Sequence, residues 1–137
     1  MKCKMSVKEA EDKEALQGGT VYFAPPDYHL LIEDNEIMSL SSDELVHYSR
    51  PSIDVLFESA ADAYGNGVIG IVLTGANSDG SEGLRAIADR GGDAIVQDPA
   101  EAYSNPMPRA ALALCPEAKI MTLEQIADYL QKGAQHD

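Results

Sequence analysis

The chain has 137 residues, of which 45% are hydrophobic and 24% are charged, as expected for one soluble globular domain with its own core. Its 23 acidic and 10 basic residues give a net charge of −13, which argues against nucleic-acid binding and against anionic membrane surfaces. No run of 18 or more apolar residues and no secretory signal occurs, so no membrane insertion and a cytoplasmic location are expected. Cys3 and Cys115 lack metal-ligand spacing and are expected to stay reduced.

The first part of the chain favours short strands. Residues 4–12 alternate briefly and then turn, and residues 20–24 are β-branched and aromatic, which is typical of a strand. Residues 29–33 and 36–40 flank Asp34-Asn35, which predicts a β-hairpin with a two-residue turn.

From Ser52 onward, strands and helices alternate. Ser52 is a predicted helix N-cap, because apolar residues follow it at helical spacing. The continuous apolar run 68–73 predicts a strand buried on both faces. The remaining predicted elements are a helix over 80–89, a strand over 93–97, a helix over 108–114, a strand over 119–121 and a helix from 123 to about 132. This order predicts an α/β fold in one domain, residues 1–137: three αβα layers around a mostly parallel, doubly wound sheet, with one β-hairpin.

The loop Thr74-Gly75-Ala76-Asn77-Ser78-Asp79-Gly80 follows the apolar strand, where open α/β sheets place their ligands. Asp79 is its candidate functional residue. On spacing alone, an Asx-turn or helix N-cap role is favoured. A carboxylate here could also orient a histidine, as in Ser-His-Asp catalysis. Metal binding lacks support, because no His or Glu cluster accompanies Asp79.

The segment Ile71-Val-Leu-Thr-Gly-Ala-Asn-Ser-Asp-Gly80 is similar to the LTGMGxDG loop of the chemotaxis protein-glutamate methylesterases, the CheB family. Further segments match in the same order, so the resemblance covers essentially the whole chain. They are Ser6-Val-Lys-Glu-Ala-Glu-Asp12, Val21-Tyr-Phe-Ala-Pro25 with Asp27-Tyr28-His29, Arg50-Pro-Ser-Ile-Asp-Val-Leu-Phe-Glu-Ser59, Ala94-Ile-Val-Gln-Asp98 and Pro106-Met-Pro-Arg-Ala-Ala111.

This resemblance implies hydrolysis of glutamate methyl esters on methyl-accepting chemoreceptors by a Ser-His-Asp mechanism, without a cofactor or metal. Asp79 matches the family's catalytic aspartate. Ala76 stands where the family usually has Met, and its backbone N–H could assist the oxyanion. Arg50, Ser52 and Met107 are candidates for lining the substrate cleft, with helix capping and packing as the alternative for each.

The chain also departs from the family pattern. It contains neither the Gly-Ala-Ser-Thr-Gly-Gly type turn that carries the nucleophile nor the Gln-His-Met type segment that carries the base. We therefore expect an N-terminally incomplete domain that is inactive alone and that exposes a sheet edge and an apolar face, with dimerisation through that edge. A receiver domain, present in many relatives, has no counterpart here and is a candidate partner.

The remaining histidines and loop serines are weak candidates for catalysis. His29 is expected to be structural or at a rim, His47 solvated and His136 in a disordered tail, while Ser78 and Ser81 are expected to act as loop and cap hydroxyls. Two other functions stay open. One is a non-catalytic module that binds chemoreceptor helices or another partner. The other is a nucleotide-binding domain that uses the 74–80 loop, against which the missing G-x-G-x-x-G and Walker lysine count.

Overall fold

A computed structural model describes residues 5–46, 49–75 and 78–135 of the chain. Strands and helices alternate after an initial group of strands, which confirms the predicted α/β class. In chain order the elements are β1 Ser6–Glu9, β2 Thr20–Phe23, β3 His29–Glu33, β4 Ile37–Ser41, α1 Ile53–Tyr64, β5 Ile69–Val72, α2 Ser81–Asp89, β6 Asp93–Gln97, α3 Pro106–Leu114, β7 Lys119–Met121 and α4 Leu123–Gln135. Within the described residues, no helix combines the length and apolar character needed to cross a bilayer.

Strands β5, β6 and β7 form a parallel sheet with helices on both faces. Val72 pairs with Val96, and Val96 pairs with Ile120. Val72 and Val96 are buried in one core cluster with Leu84 of α2 and Ala111 of α3, so these helices cover that face. Asp93 is three residues before Val96 and therefore points to the opposite face. Its carboxylate accepts from the Tyr129 hydroxyl at 2.9 Å, which places α4 there.

The hairpin β3–β4 packs on the other side of α1. A second core cluster combines Ala10, Leu30 and Met38, with Leu56 of α1 packed against it. Glu33 pairs with Ile37, so three residues connect the strands. The predicted two-residue turn is therefore wrong by one residue. Asn35 and Glu36 both adopt positive φ, 66° and 60°, which keeps Glu36 in the turn and delays β4 to Ile37.

The prediction that the apolar run 68–73 is buried on both faces is also wrong. Gly70 and Val72 are buried, but Ile69 and Leu73, on the opposite face, are 46% and 42% exposed. Among the described strands, β6 is the one paired with β5, so the other edge of β5 is open. An apolar run shows that both faces can be buried, but it does not supply the layer that covers them.

Strands β1 and β2 form a separate parallel pair with a similar exposed face. Val7 pairs with Val21, and these side chains are 62% and 42% exposed, while Phe23 on the same face is 50% exposed. In the part of the chain that the structure describes, β2 is the strand paired with β1. Parallel sheets are normally covered on both faces, so an exposed apolar face of this kind is unusual for an α/β domain.

Candidate active site

Asp79 lies at the carboxyl end of the β5 segment and is buried, with 3% of its surface exposed. One carboxylate oxygen, Oδ1, accepts from the Ser52 hydroxyl at 2.8 Å and from the Asp54 N–H at 3.1 Å. The other, Oδ2, accepts from the Ile53 N–H at 2.6 Å. Asp79 therefore caps the first turn of α1, where a carboxylate is favoured by the exposed N–H groups and the helix dipole.

The cap role that spacing suggested for Asp79 is thus real, but it serves a different helix. The residue at the N-cap of its own helix, α2, is Gly80, with φ +102°. Ser52 is the N-cap of α1, as predicted, and its hydroxyl lies 3.5 Å from the Val55 N–H.

Asp54 is a second buried carboxylate at this site, and sequence analysis did not select it. Its Oδ1 accepts from the N–H groups of Gly80 at 3.0 Å and of Gly83 at 2.7 Å, so it caps α2 from α1. Burial raises the pKa of the Asp54 carboxyl, and the nearby charges of Asp79 and Glu82 raise it further, while the two N–H donors act against them. The available signal was helical spacing, because Asp54 shares one helix face with Ala61, seven residues later.

The starts of α1 and α2 lie in close contact, and glycine makes this possible. A Cβ atom at Gly83 would lie 2.6 Å from Cβ of Phe57 and 3.1 Å from Cα of Asp54. Any larger residue would therefore push the helices apart.

His29 has a structural role, as the sequence favoured. It is 2% exposed, its Nε2 lies 2.8 Å from the Glu44 carbonyl oxygen, and its Nδ1 accepts from the Ser52 N–H at 3.2 Å. These partners require the neutral tautomer that carries its proton on Nε2. The Ser52 hydroxyl donates to Asp79 rather than to the imidazole. His29, Ser52 and Asp79 are therefore connected, but not in the order of base, nucleophile and orienting acid that hydrolysis needs.

The start of the 74–80 loop is fixed by the β6–α3 region. The Thr74 N–H donates to Oε1 of Gln97 at 3.0 Å, and the Gly75 N–H donates to the Ser104 carbonyl at 3.0 Å. The Met107 N–H returns a bond to the Gly75 carbonyl at 3.1 Å. A Cβ at Gly75 would lie 2.5 Å from Cε of Met107, so glycine lets the loop close over this side chain.

The other predicted site residues occupy capping and packing positions. Met107 is buried in the main core cluster, and Ser52 caps α1. Arg50 donates through Nη1 to the carbonyls of Ser42 and Asp43, at 2.9 and 3.1 Å. These placements agree with the alternative that the sequence left open, and a substrate role for Arg50, Ser52 and Met107 stays a prediction. Ser81 donates its hydroxyl to the Ser78 carbonyl at 2.9 Å, so it acts as a loop hydroxyl and does not cap α2.

Four residues that the sequence analysis considered lie outside the described residues: Ala76, His47, His136 and Cys3. Over the ranges 5–46, 49–75 and 78–135, no group of three or more His, Cys, Asp and Glu side chains is arranged to hold a metal ion.

Comparison with known proteins decides the family. The model of the family described as CheB methylesterase matches residues 1–130. The chain belongs to the CheB methylesterase family. The resemblance to this family that the 71–80 loop and the other matching segments carry is thereby confirmed.

The CheB-family chain has relatives in several bacteria. It is 51% identical over 126 residues to a putative protein-glutamate methylesterase/protein-glutamine glutaminase of Leptospira interrogans. The matched region covers 92% of the chain and 65% of that relative. It is 38% identical over 129 residues to protein-glutamate methylesterase/protein-glutamine glutaminase 1 of Rhodospirillum rubrum, with 92% and 33% covered.

A solved structure agrees with the fold. The crystal structure of the Thermotoga maritima CheB methylesterase catalytic domain superposes with a TM-score of 0.84 at 29% identity, over 90% of the chain and 67% of that domain. The chain thus spans about two thirds of this catalytic domain and of the Leptospira relative, and about a third of the Rhodospirillum relative.

Proposed function

We propose that the chain forms the aspartate-bearing part of a protein-glutamate methylesterase that hydrolyses glutamate methyl esters on chemoreceptors. The observation that carries this proposal is the position of Asp79, buried at the carboxyl end of a parallel strand and held by three donors. It occupies the place of the catalytic aspartate in the family's loop motif. The names of the Leptospira and Rhodospirillum relatives support the same activity.

In this mechanism a serine attacks the ester carbonyl while a histidine removes the serine proton and later gives it to the departing methoxide oxygen, which leaves as methanol. The aspartate holds the histidine in the required tautomer and stabilises the imidazolium. Asp79 suits that task because the first turn of α1 fixes its carboxylate in one orientation. Water then releases the receptor glutamate. The second activity in the relatives' names is hydrolysis of a glutamine amide. In that reaction the serine attacks the corresponding side-chain carbonyl, and ammonia leaves instead of methanol.

The nucleophile and base belong, in this proposal, to the part of the family domain that these 137 residues do not cover. The sequence has no glycine-rich serine turn, and His29 uses both ring nitrogens in structural hydrogen bonds. Loss of the serine or the histidine of such a triad lowers kcat on the order of a million-fold. The chain by itself is therefore expected to be inactive.

The unpaired strand edges indicate where the part of the family domain that this chain does not cover would pack. Strands β1 and β5 each have one edge without a described partner, and their exposed faces carry Val7 and Ile69. Further parallel strands at the open edge of β5 would end on the same side of the sheet as β5. A serine and a histidine that follow such strands would then reach the region of Asp79, as the carboxyl-end rule for α/β sheets requires.

The decisive experiment restores the missing part and measures turnover. The segment of the Leptospira relative that this chain does not cover is co-expressed with the chain, and methanol release from methylated chemoreceptor fragments is followed. We expect no release from the chain alone, release from the pair, and a loss on the order of ten-thousand-fold with Asp79→Asn.

Asp79→Asn is preferred to alanine because an amide oxygen can still accept from the first turn of α1. Circular dichroism checks that each variant folds, and Glu124→Gln, at an acid in the first turn of α4, is the matched control. Turnover by the pair that survives Asp79→Asn would contradict the role of Asp79.

A second candidate is a non-catalytic module that binds chemoreceptor helices. The exposed apolar side chains of β1, β2 and β5 favour it, because such a patch commonly marks an interaction surface. Capture of the chain by receptor cytoplasmic fragments, with no methanol release from the restored pair, would select this function.

A further inference from the structure

We propose that Asp54 is the positioning residue for Asp79. The two carboxylates cap each other's helices, so that Asp54 holds the start of α2 in the place from which Asp79 reaches the start of α1. The proposal rests on the proposed function only for the catalytic task of Asp79.

The hydrogen bonds form a closed exchange between two helix starts. From the α2 side, the Asp79 carboxylate accepts from the N–H groups of Ile53 and Asp54, at 2.6 and 3.1 Å. From the α1 side, the Asp54 carboxylate accepts from the N–H groups of Gly80 and Gly83, at 3.0 and 2.7 Å. Because Gly80 directly follows Asp79 in the chain, a shift of α2 away from Asp54 would also move Asp79 away from α1.

Neither helix has a strong cap of its own. The N-cap of α2 is Gly80, which has no side chain to accept from the first turn. The N-cap of α1 is Ser52, whose hydroxyl donates to Asp79 at 2.8 Å and lies at a longer 3.5 Å from the Val55 N–H. Each helix therefore depends on the carboxylate of the other for the N–H groups that an ordinary cap would satisfy.

The two acids tolerate their burial because two helix N-termini meet at the same point. Like charges that are close together destabilise each other, and N–H donors with aligned peptide dipoles offset that repulsion. Asp54 and Asp79 are 2% and 3% exposed, and the charges of Glu82 and Glu58 also interact with Asp54. Asp54→Asn should therefore remove the repulsion and keep one acceptor oxygen, whereas Asp54→Ala removes both.

Amide hydrogen exchange in the full 137-residue chain tests the proposal. The informative group is the Ile53 N–H, because its acceptor is Asp79 and not Asp54. Asp54→Ala should lower protection about tenfold at Gly80 and Gly83 and also at Ile53, the scale of a lost helix cap. Asp54→Asn should lower it less at all three, and Glu124→Gln, at an acid in the first turn of α4, should leave all three unchanged. Unchanged protection at Ile53 in Asp54→Ala would overturn the proposal, because Asp54 would then be a cap of α2 and nothing more.

If Asp54→Ala fails to fold, the reciprocal variant decides. Coupling between two sites is symmetric, so Asp79→Ala, which removes both acceptor oxygens, should lower protection at Gly83, which Asp54 binds. Normal protection of Gly83 in Asp79→Ala overturns the proposal.

The restored pair described above supplies a second readout. There, Asp54→Ala should lower kcat and leave KM unchanged, since Asp54 acts through Asp79 and not on substrate binding, and Asp54→Asn, which keeps an acceptor oxygen, should recover part of the loss. An unchanged kcat in Asp54→Ala would overturn the positioning role. The exchange experiments need no turnover, so they remain decisive if the proposed methylesterase activity is absent, and the two failures can be told apart.

Discussion

Two regions of the molecule differ in how far their side chains find contacts: the helix starts around Asp79 and the exposed sheet surfaces. At the helix starts, Ser52, Asp54 and Asp79 are 2–3% exposed. The Asp79 carboxylate accepts from the Ser52 hydroxyl and the Asp54 N–H, and the Asp54 carboxylate accepts from the Gly80 N–H. On β1, β2 and β5, by contrast, Val7, Phe23 and Ile69 expose 62%, 50% and 46% of their surface. The polar region finds its hydrogen-bond partners within the described residues, whereas these residues leave the apolar region partly uncovered.

This difference separates two requirements of the proposed site. The orientation of the Asp79 carboxylate depends on contacts between α1 and α2, both of which this chain provides. The surface next to β1 and β5 depends on a layer that the described residues do not provide. An apolar patch of this kind is a common feature of interaction surfaces. Preorganisation of the acid and assembly of the sheet should therefore respond to different substitutions.

The largest effect is expected from Gly83→Ala. Alanine normally stabilises a helix interior relative to glycine, but here its Cβ would lie 2.6 Å from Phe57 and 3.1 Å from the backbone of Asp54. Overpacking of this kind costs about 1–3 kcal/mol, so urea denaturation should show a loss of unfolding free energy. Gly67→Ala is the control, because its Cβ would meet Tyr64 at an ordinary 3.9 Å. Equal stability of the two variants would mean that α1 and α2 are not in close contact.

A smaller, pH-dependent effect is expected from Asp54→Asn. Burial and the charge of Asp79 raise the pKa of Asp54 in the folded chain above the ordinary value of about 3.9. The folded state then binds the proton more tightly, so the contribution is fully present below the unfolded pKa and is lost as pH rises through the folded pKa. The unfolding free energy of Asp54→Asn relative to the wild type should therefore increase from pH 4 to pH 7. A difference that stays flat or falls would show that burial is offset by the N–H donors.

Much of the fold followed from local signals in the sequence. The branched residues of β5 and the Ser52 cap of α1 act within a few neighbouring residues, so their elements were predicted within a residue or two. The position of Asp79 after β5 followed in the same way. Its matching to a catalytic aspartate came from the family resemblance and not from spacing.

The exchange between Asp54 and Asp79 could not be predicted because it is not local. The two residues are 25 positions apart and meet only after α1 and α2 pack. Spacing suggested a cap for Asp79 but could not show that it serves the other helix. The exposed face of β5 was missed for a related reason, since the pattern of Ile69 and Ile71 is the same whether or not a further layer covers them.

The apolar surfaces should affect association much more than stability. Phe23→Ser and Ile69→Ser remove half-exposed side chains, so each should change the unfolding free energy by within about 0.5 kcal/mol. Dimerisation through this region stays a prediction, and light scattering over a concentration series measures it. We expect the wild type to associate and the double variant to be monomeric. Tyr103→Ser, at a fully exposed position outside the two sheets, is the control. A wild type that stays monomeric would contradict dimerisation through this region and would favour a different binding partner for the surface.

The smallest effect is expected from Glu117→Gln, at a site that belongs to neither region. Glu117 accepts from Nη1 and Nη2 of Arg85 at 2.7 and 2.5 Å, and this hydrogen bonding lowers its pKa to about 2. A lowered folded pKa contributes stability above the unfolded value of about 4.3, which is lost as pH falls toward 2. Because the pair is solvent-exposed, the loss at pH 7 should be slight and should shrink further in high salt. Thermal unfolding at pH 7 with and without salt, beside Glu9→Gln on β1, measures it. A loss as large as that of Gly83→Ala would mean that the ion pair between α2 and the end of α3 stabilises the domain as much as the contact between α1 and α2 does.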